Sequence, residues 1–146
     1  MPYFEIGVCY PRNKENIGTL WRSAYQLGAA GVFTIGRTYK HQSSDVLFTE
    51  NEIPLRHYED FEQFLANRPK GAQLIAVEMG GTPLREYKHP SRAIYLLGSE
   101  AMGLSDQILS QCNAVISLES VRYGSYNLAV AGSIVMYHRL FGLTSV

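Results

Sequence analysis

The sequence predicts an α/β domain built on a mainly parallel sheet with helices on both faces. Short apolar, β-rich runs alternate with amphipathic or capped helical segments along the chain. Several of those runs are continuously apolar, as strands covered on both faces are. A length of 146 residues suits one domain with a sizeable core.

YFEIGVCY (3–10) reads as the first strand, closed by Pro11-Arg12-Asn13. Asn16 then offers an N-cap for a helix to about Ala29, in which Ile17, Leu20, Trp21, Ala24 and Leu27 form one apolar stripe. Gly28 and Gly31 end that helix, and GVFTIG (31–36) is a short buried strand. Residues 37–52 are polar and aperiodic, a long loop of the kind that often carries function. EIPLRHY is a weak strand and EDFEQFLANR a short helix stopped by Pro69. QLIAVEM (73–79) is an apolar strand ending at Gly80-Gly81, and RAIYLLG (92–98) another, with Gly98 at its end. Ser105 caps a short helix through Cys112, AVISL (114–118) is the last strand, and Asn127–Phe141 the last helix. Neither an internal repeat nor a linker interrupts the pattern.

Composition narrows the classes. Hydrophobic residues make up 46% and charged residues 18%, an ordinary soluble balance. No stretch approaches the roughly 18 apolar residues of a membrane span. The opening MPYFEIGVCYPRN lacks a basic-then-apolar leader, so a cytoplasmic location is expected. Cys9 and Cys112 stand outside any paired spacing, which suits buried free thiols in a reducing compartment and no structural zinc. His41, His57, His89 and His138 are scattered, so surface or helix positions are expected and no metal site. The net charge is zero, but residues 10–44 carry Arg12, Lys14, Arg22, Arg37 and Lys40 against Glu15 alone. Residues 45–62 carry six acids against Arg56, so one face can be basic while the molecule is neutral.

Ligands of open parallel sheets sit beyond the carboxyl ends of the strands. The loops there (11–18, 36–44, 78–82, 98–103 and 119–127) hold most of the glycines and unusual polar residues. No dinucleotide fingerprint, Gly-Lys-Ser/Thr phosphate loop or Gly-x-Ser-x-Gly elbow occurs in them. Three segments remain. Asn16-x-Gly18 precedes Arg22, which lies beside the apolar stripe; it is either a solvated helix arginine or a fork of donors for phosphate or an oxyanion. Gly98 lets a ligand approach the backbone, and Glu100 follows it, either binding loop N–H groups or acting directly. Ser125 and Asn127 open the final helix, where exposed N–H groups and the dipole favour polar groups.

Together these segments resemble the three motifs of the SpoU/TrmH-type RNA ribose methyltransferases of the SPOUT superfamily. The family pattern is N-x-G-x-x-x-R, then a strand ending in G-x-E-x-x-G-L, then S-x-N opening an apolar helix. Here it is met by Asn16-Ile17-Gly18 with Arg22, by Gly98-Ser99-Glu100 with Gly103-Leu104, and by Ser125-Tyr126-Asn127. The resemblance spans nearly the whole chain. Two residues depart from it: Ser117 stands after Ile116 where the family usually has proline, and Tyr126 replaces the usual leucine.

The resemblance implies a single domain over 1–146 without an accessory RNA-binding domain, its C-terminal part threaded as a deep trefoil knot. It implies a homodimer with its sites at the subunit interface and S-adenosylmethionine as cofactor, held against Val77, Gly98, Ile116, Leu118, Ser125 and Tyr126. The implied reaction is 2′-O-methylation of a ribose, most plausibly in tRNA, the alternative being a non-catalytic module that binds RNA or the cofactor. Arg22 would stand at the 2′-oxygen and a phosphate, with Asn16 and Glu100 holding the loop and Ser125 and Asn127 reaching the substrate ribose. Arg12, Lys14, Arg37 and Lys40 would bind RNA phosphates. No metal is implied.

Overall fold

The computed structural model describes residues 2–36 and 53–142. Its elements are β1 (Tyr3–Cys9), α1 (Lys14–Gln26), β2 (Gly31–Ile35), β3 (Leu55–Tyr58), α2 (Phe61–Asn67), β4 (Gln73–Pro83), a 3₁₀ turn (Leu84–Glu86), β5 (Arg92–Leu97), α3 (Asp106–Leu109), β6 (Ala114–Ser117) and α4 (Leu128–Phe141). The strands form one sheet in the order β3-β2-β1-β5-β4-β6, and every pairing is parallel.

Alternation along each strand divides the core. Ile6, Val8, Val32, Ile75, Tyr95 and Leu97 face α1 and α4, whereas Phe33, Ile35, Leu74, Ile94 and Leu96 face α2 and α3. Two glycines permit this packing. A Cβ on Gly7 would lie 2.2 Å from the Phe33 ring, and one on Gly132 of α4 would lie 2.6 Å from Leu20 of α1. The buried Glu5 carboxylate accepts a hydrogen bond from the Tyr3 hydroxyl and pairs with Arg56 across β2 at 3.6 Å.

The structure corrects several sequence-level boundaries. Asn13, not Asn16, caps α1, accepting from the Glu15 N–H at 2.8 Å. Gly28 follows the helix end with φ +84°, while Gly31 is already the first residue of β2. β4 does not stop at Gly80-Gly81 but continues to Pro83, its pairing with β6 shifting register between Val77 and Thr82. Ser105 does cap α3, though that helix spans four residues. The loop expected over 37–52, with Arg37, Lys40 and His41, lies outside the described residues. No helix among the described residues is long and apolar enough to cross a membrane.

Candidate functional site

Because the strands are parallel, the loops after β1, β5, β4 and β6 emerge side by side at one edge. There the three sequence motifs meet through side chains. The Asn16 amide donates from Nδ2 to Glu100 Oε2 at 2.7 Å. Its carbonyl Oδ1 accepts from Asn127 Nδ2 at 3.0 Å. Glu100 Oε1 accepts the Arg12 N–H at 3.3 Å. A carboxylate can only accept, so it fixes which end of the Asn16 amide faces it, and that orientation fixes Asn127 in turn. Asn127 Oδ1 meanwhile caps α4, accepting from Ala129 at 2.9 Å and Val130 at 3.2 Å. Burial would raise the Glu100 pKa, but hydrogen bonds from its own backbone, Asn16 and the backbone of Arg12 and Asn13 outweigh it. The carboxyl is held below its ordinary value and is ionised at neutral pH.

Beside this chain of hydrogen bonds opens a cleft of about 530 Å³ whose lining includes Val77, Gly98, Leu118, Ser125 and Tyr126. Five of the six residues expected at a cofactor are therefore on its wall. The side chain of Ile116 is instead fully buried in the core. Gly98 has no room for a side chain, since a Cβ there would sit 2.3 Å from the Gly103 carbonyl carbon.

Two contributors were not legible in the sequence. Glu78, at the cleft edge of β4, accepts the Leu104 N–H through Oε2 at 2.8 Å and the Met79 N–H through Oε1 at 3.1 Å. It clamps the 98–104 loop, and Gly103 (φ +65°) leaves space for its carboxylate. An acid closing an otherwise apolar strand, just before Gly-Gly, was the available signal. The other is the Tyr126 hydroxyl, which donates to the Glu119 carbonyl at 2.7 Å and closes the 119–126 loop on itself. Glu119 is fastened in turn to the 3₁₀ turn, accepting the Arg85 N–H at 3.1 Å.

Arg22 does not line its own chain's cleft. It projects from α1 into solvent and makes no hydrogen bond or ion pair among the described residues. One helical turn before it, Thr19 lines a second, apolar groove of about 630 Å³ along α4, with Leu27, Leu84, Val130, Ile134 and Tyr137. Arg12 and Lys14 are exposed beside the Glu100 contact.

The remaining groups are structural. Both cysteines are free; burial pushes the Cys9 thiol up to about 12 and that of Cys112 up to about 11, so neither is a ready nucleophile. The expectation of surface or helix histidines fails for His89. It is half-buried outside any helix, sharing hydrogen bonds with Tyr95 (2.6 Å) and His138 (2.8 Å). Among the described residues no three His, Cys, Asp or Glu side chains converge as metal ligands would.

The profile of the SpoU rRNA methylase family matches residues 4–137. The chain belongs to that family. An uncharacterised tRNA/rRNA methyltransferase of Archaeoglobus fulgidus is 28% identical over 134 residues, covering 86% of this chain. The chain spans only 58% of that relative's length. A solved structure from work on the 2-OH methylation of C/U34 on tRNA superposes with a TM-score of 0.84 at 25% identity, covering 99% of both chains. The SpoU methyltransferase AviRb of Streptomyces viridochromogenes shares the fold, with a TM-score of 0.85 at 20% identity over 98% of this chain and 62% of AviRb. AviRb has also been solved with S-adenosylmethionine, as has an rRNA methyltransferase of Sinorhizobium meliloti.

Proposed function

We propose that this chain is an S-adenosylmethionine-dependent RNA methyltransferase that methylates a ribose 2′-hydroxyl, most plausibly in tRNA. The observation that carries the reading is the Glu100–Asn16–Asn127 chain of hydrogen bonds at the mouth of the cleft. It joins three family motifs across 84 and 111 residues of sequence, more than helix capping requires. The likeness to the structure concerned with C/U34 on tRNA supports tRNA as the substrate.

The cleft suits the cofactor. Its volume falls in the range of small-molecule sites, and Gly98 lies on its wall with no side chain of its own. Bound S-adenosylmethionine would supply an activated methyl group for the ribose 2′-oxygen, whose proton would pass to solvent. The chain's own residues would orient and stabilise. Asn16 and Glu100 hold the loops; Ser125 and Asn127 reach towards the ribose. Arg12 and Lys14 take flanking phosphates. A guanidinium keeps its protons, so Arg22 stabilises the emerging oxyanion and does not act as the base.

Arg22 reaches a cleft only if a second copy supplies it, and the apolar α4 groove supports a homodimer. Ile134 and Tyr137 line it at 37% and 60% exposure, unusual for a helix face that stays wet. The C-terminal part of the chain would be threaded as the deep trefoil knot, and the cytoplasm would be the compartment.

Incubation with tritium-labelled S-adenosylmethionine and unmodified tRNA, followed by nucleoside analysis, tests the reading: 2′-O-methylnucleoside is expected. Cofactor binding without incorporation into any RNA would overturn it in favour of a non-catalytic module. Arg22→Ala should abolish transfer and spare cofactor binding, and Ile134→Glu should halve the mass in solution.

A further inference from the structure

Tyr10 is the one non-glycine residue with positive φ among the described residues, at +54°. A bulky side chain seldom adopts that conformation, and such strain tends to persist where function requires it. The residue follows β1 directly, and its N–H donates to the Ile35 carbonyl at 2.7 Å. Two residues on, the Arg12 N–H reaches Glu100. Tyr10 Cα is therefore within about 7.6 Å of Arg12 Cα, two steps along the chain.

The strained backbone lays the ring on Gly36. A Cβ there would lie 2.3 Å from both Cδ1 and Cε1 of Tyr10, so only glycine can form the bed, and Gly36 itself has φ +90°. Filling the core does not explain this arrangement, because Tyr10 remains 49% exposed. Among the described residues no second ring packs on it and its hydroxyl has no protein partner. One side of the ring is bedded and the residue is still half open to solvent, which makes a stacking platform at the rim of the candidate site.

Resting on the function proposed above, we propose that Tyr10 stacks on an unpaired RNA base next to the ribose that is methylated. A base is the moiety that fits. Burial, then the fields of Cys9, Asp60 and Glu62, raise the phenol's pKa, so the ring is neutral with acidic neighbours and would repel a phosphate. The exposed Arg12 of the loop and Lys14 at the start of α1 can hold the backbone on either side. The target must be single-stranded, because bases inside an A-form helix are already stacked and shielded. Stacking of this kind is sequence-tolerant and worth roughly 5- to 150-fold in affinity per base.

The test uses the full chain and a short single-stranded RNA carrying 2-aminopurine, whose fluorescence is quenched on stacking against an aromatic ring. Tyr10→Asn and Tyr10→Gly relax the left-handed backbone, so both should melt no lower than the parent protein. Both should nonetheless lose the quench and about tenfold or more in RNA affinity, with S-adenosylmethionine affinity unchanged. Tyr10→Phe, which keeps the ring, should keep the quench; the duplexed oligonucleotide should not be quenched by any of them. Quenching and RNA affinity preserved in Tyr10→Asn would overturn the inference, as would equal loss in Tyr10→Phe. If the parent protein methylates RNA and Tyr10→Asn does so with an unchanged KM for RNA, the inference falls and the function stands. If the parent transfers no methyl yet quenches through Tyr10, the function falls and the stacking site stands.

Discussion

Asn127 uses one end of its amide as a helix cap and the other as a link between motifs, and substitution can separate these roles. Asn127→Ala removes both. The cap is worth about 1 kcal/mol, and the exposed 3.0 Å bond to Asn16 about 0.5–1 kcal/mol, so a loss of about 1.5–2 kcal/mol is expected. Asn127→Asp keeps the cap and adds a negative charge at the helix N-terminus, worth about 0.3–1 kcal/mol. It turns the donor facing Asn16 Oδ1 into an acceptor, however. Flipping Asn16 cannot repair this, because its carbonyl would then face Glu100. A second carboxylate roughly 6 Å from Glu100 costs about 0.7 kcal/mol in water-like dielectric. With the lost Asn16 bond these terms leave Asn127→Asp about 0.2–1.4 kcal/mol below the parent in urea unfolding at unchanged slope, a smaller loss than in the Ala variant. Methyl transfer to RNA should nevertheless fall about tenfold or more in both variants. An Asp variant with parental transfer would show that the Asn16 link is idle. One as unstable as the Ala variant would show that Asn127 is not a cap.

Gly98→Ala forces a Cβ against the Gly103 backbone at 2.3 Å, so the loop must move; cofactor affinity by calorimetry should fall at least about tenfold. Tyr126→Phe removes the hydrogen bond to Glu119 and should weaken cofactor binding about fivefold, with faster amide exchange over 119–126; unchanged exchange would refute the latch. The third concerns pH. Burial, then the proximity of His138 and Arg139, lowers the pKa of His89 to about 4. The folded chain binds fewer protons there than the unfolded chain, whose histidine titrates near 6.5, so stability is full above 6.5 and is lost as pH falls towards 4. The unscreened value is about 3 kcal/mol, and half-exposure cuts it to about 1–2 kcal/mol. His89→Gln should flatten urea-unfolding stability across that window.

The alternation of strands and helices was legible because continuous apolar runs such as QLIAVEM and RAIYLLG have no stable place except a doubly covered sheet. The motifs were legible through their resemblance to a family pattern: each is weak alone, and the three in order around Asn16, Gly98-Ser99-Glu100 and Ser125-Tyr126-Asn127 are distinctive. What stayed hidden depends on distant partners. Asn13 and Asn16 are equally good caps by type; Asn16 loses the role because Glu100, 84 positions away, takes its amide. Glu78 looks like the fraying end of a strand until Leu104, 26 residues on, donates to it. Tyr10 reads as one more β-former, and only its φ of +54° separates it from its neighbours. The fate of residues 37–52, which hold Arg37 and Lys40, lies outside the described residues.

Strand order bears on how a neutral chain could present the RNA site that the proposed function requires. The loops after β1, β5 and β6 carry Arg12, Glu100 and Asn127, and neighbouring β4 itself carries Glu78, so one half of the sheet edge builds the site. The other half, β2 and β3, leads into Asp60 and Glu62 and keeps much of the acidic charge on that flank. Its one contribution to the site is Gly36, the bed under Tyr10. Charge segregation along the sheet therefore does what net charge cannot: it leaves the β1 loop basic without making the protein a general polyanion binder. Under the proposed function, an RNA crossing this edge would find phosphate contacts at Arg12 and Lys14, and at Tyr10 a stacking surface whose acidic neighbours Asp60 and Glu62 favour a base over a phosphate. Moving along the same edge from β1 to β5, it would pass over the Glu100–Asn16–Asn127 chain, where the proposed function would place the ribose.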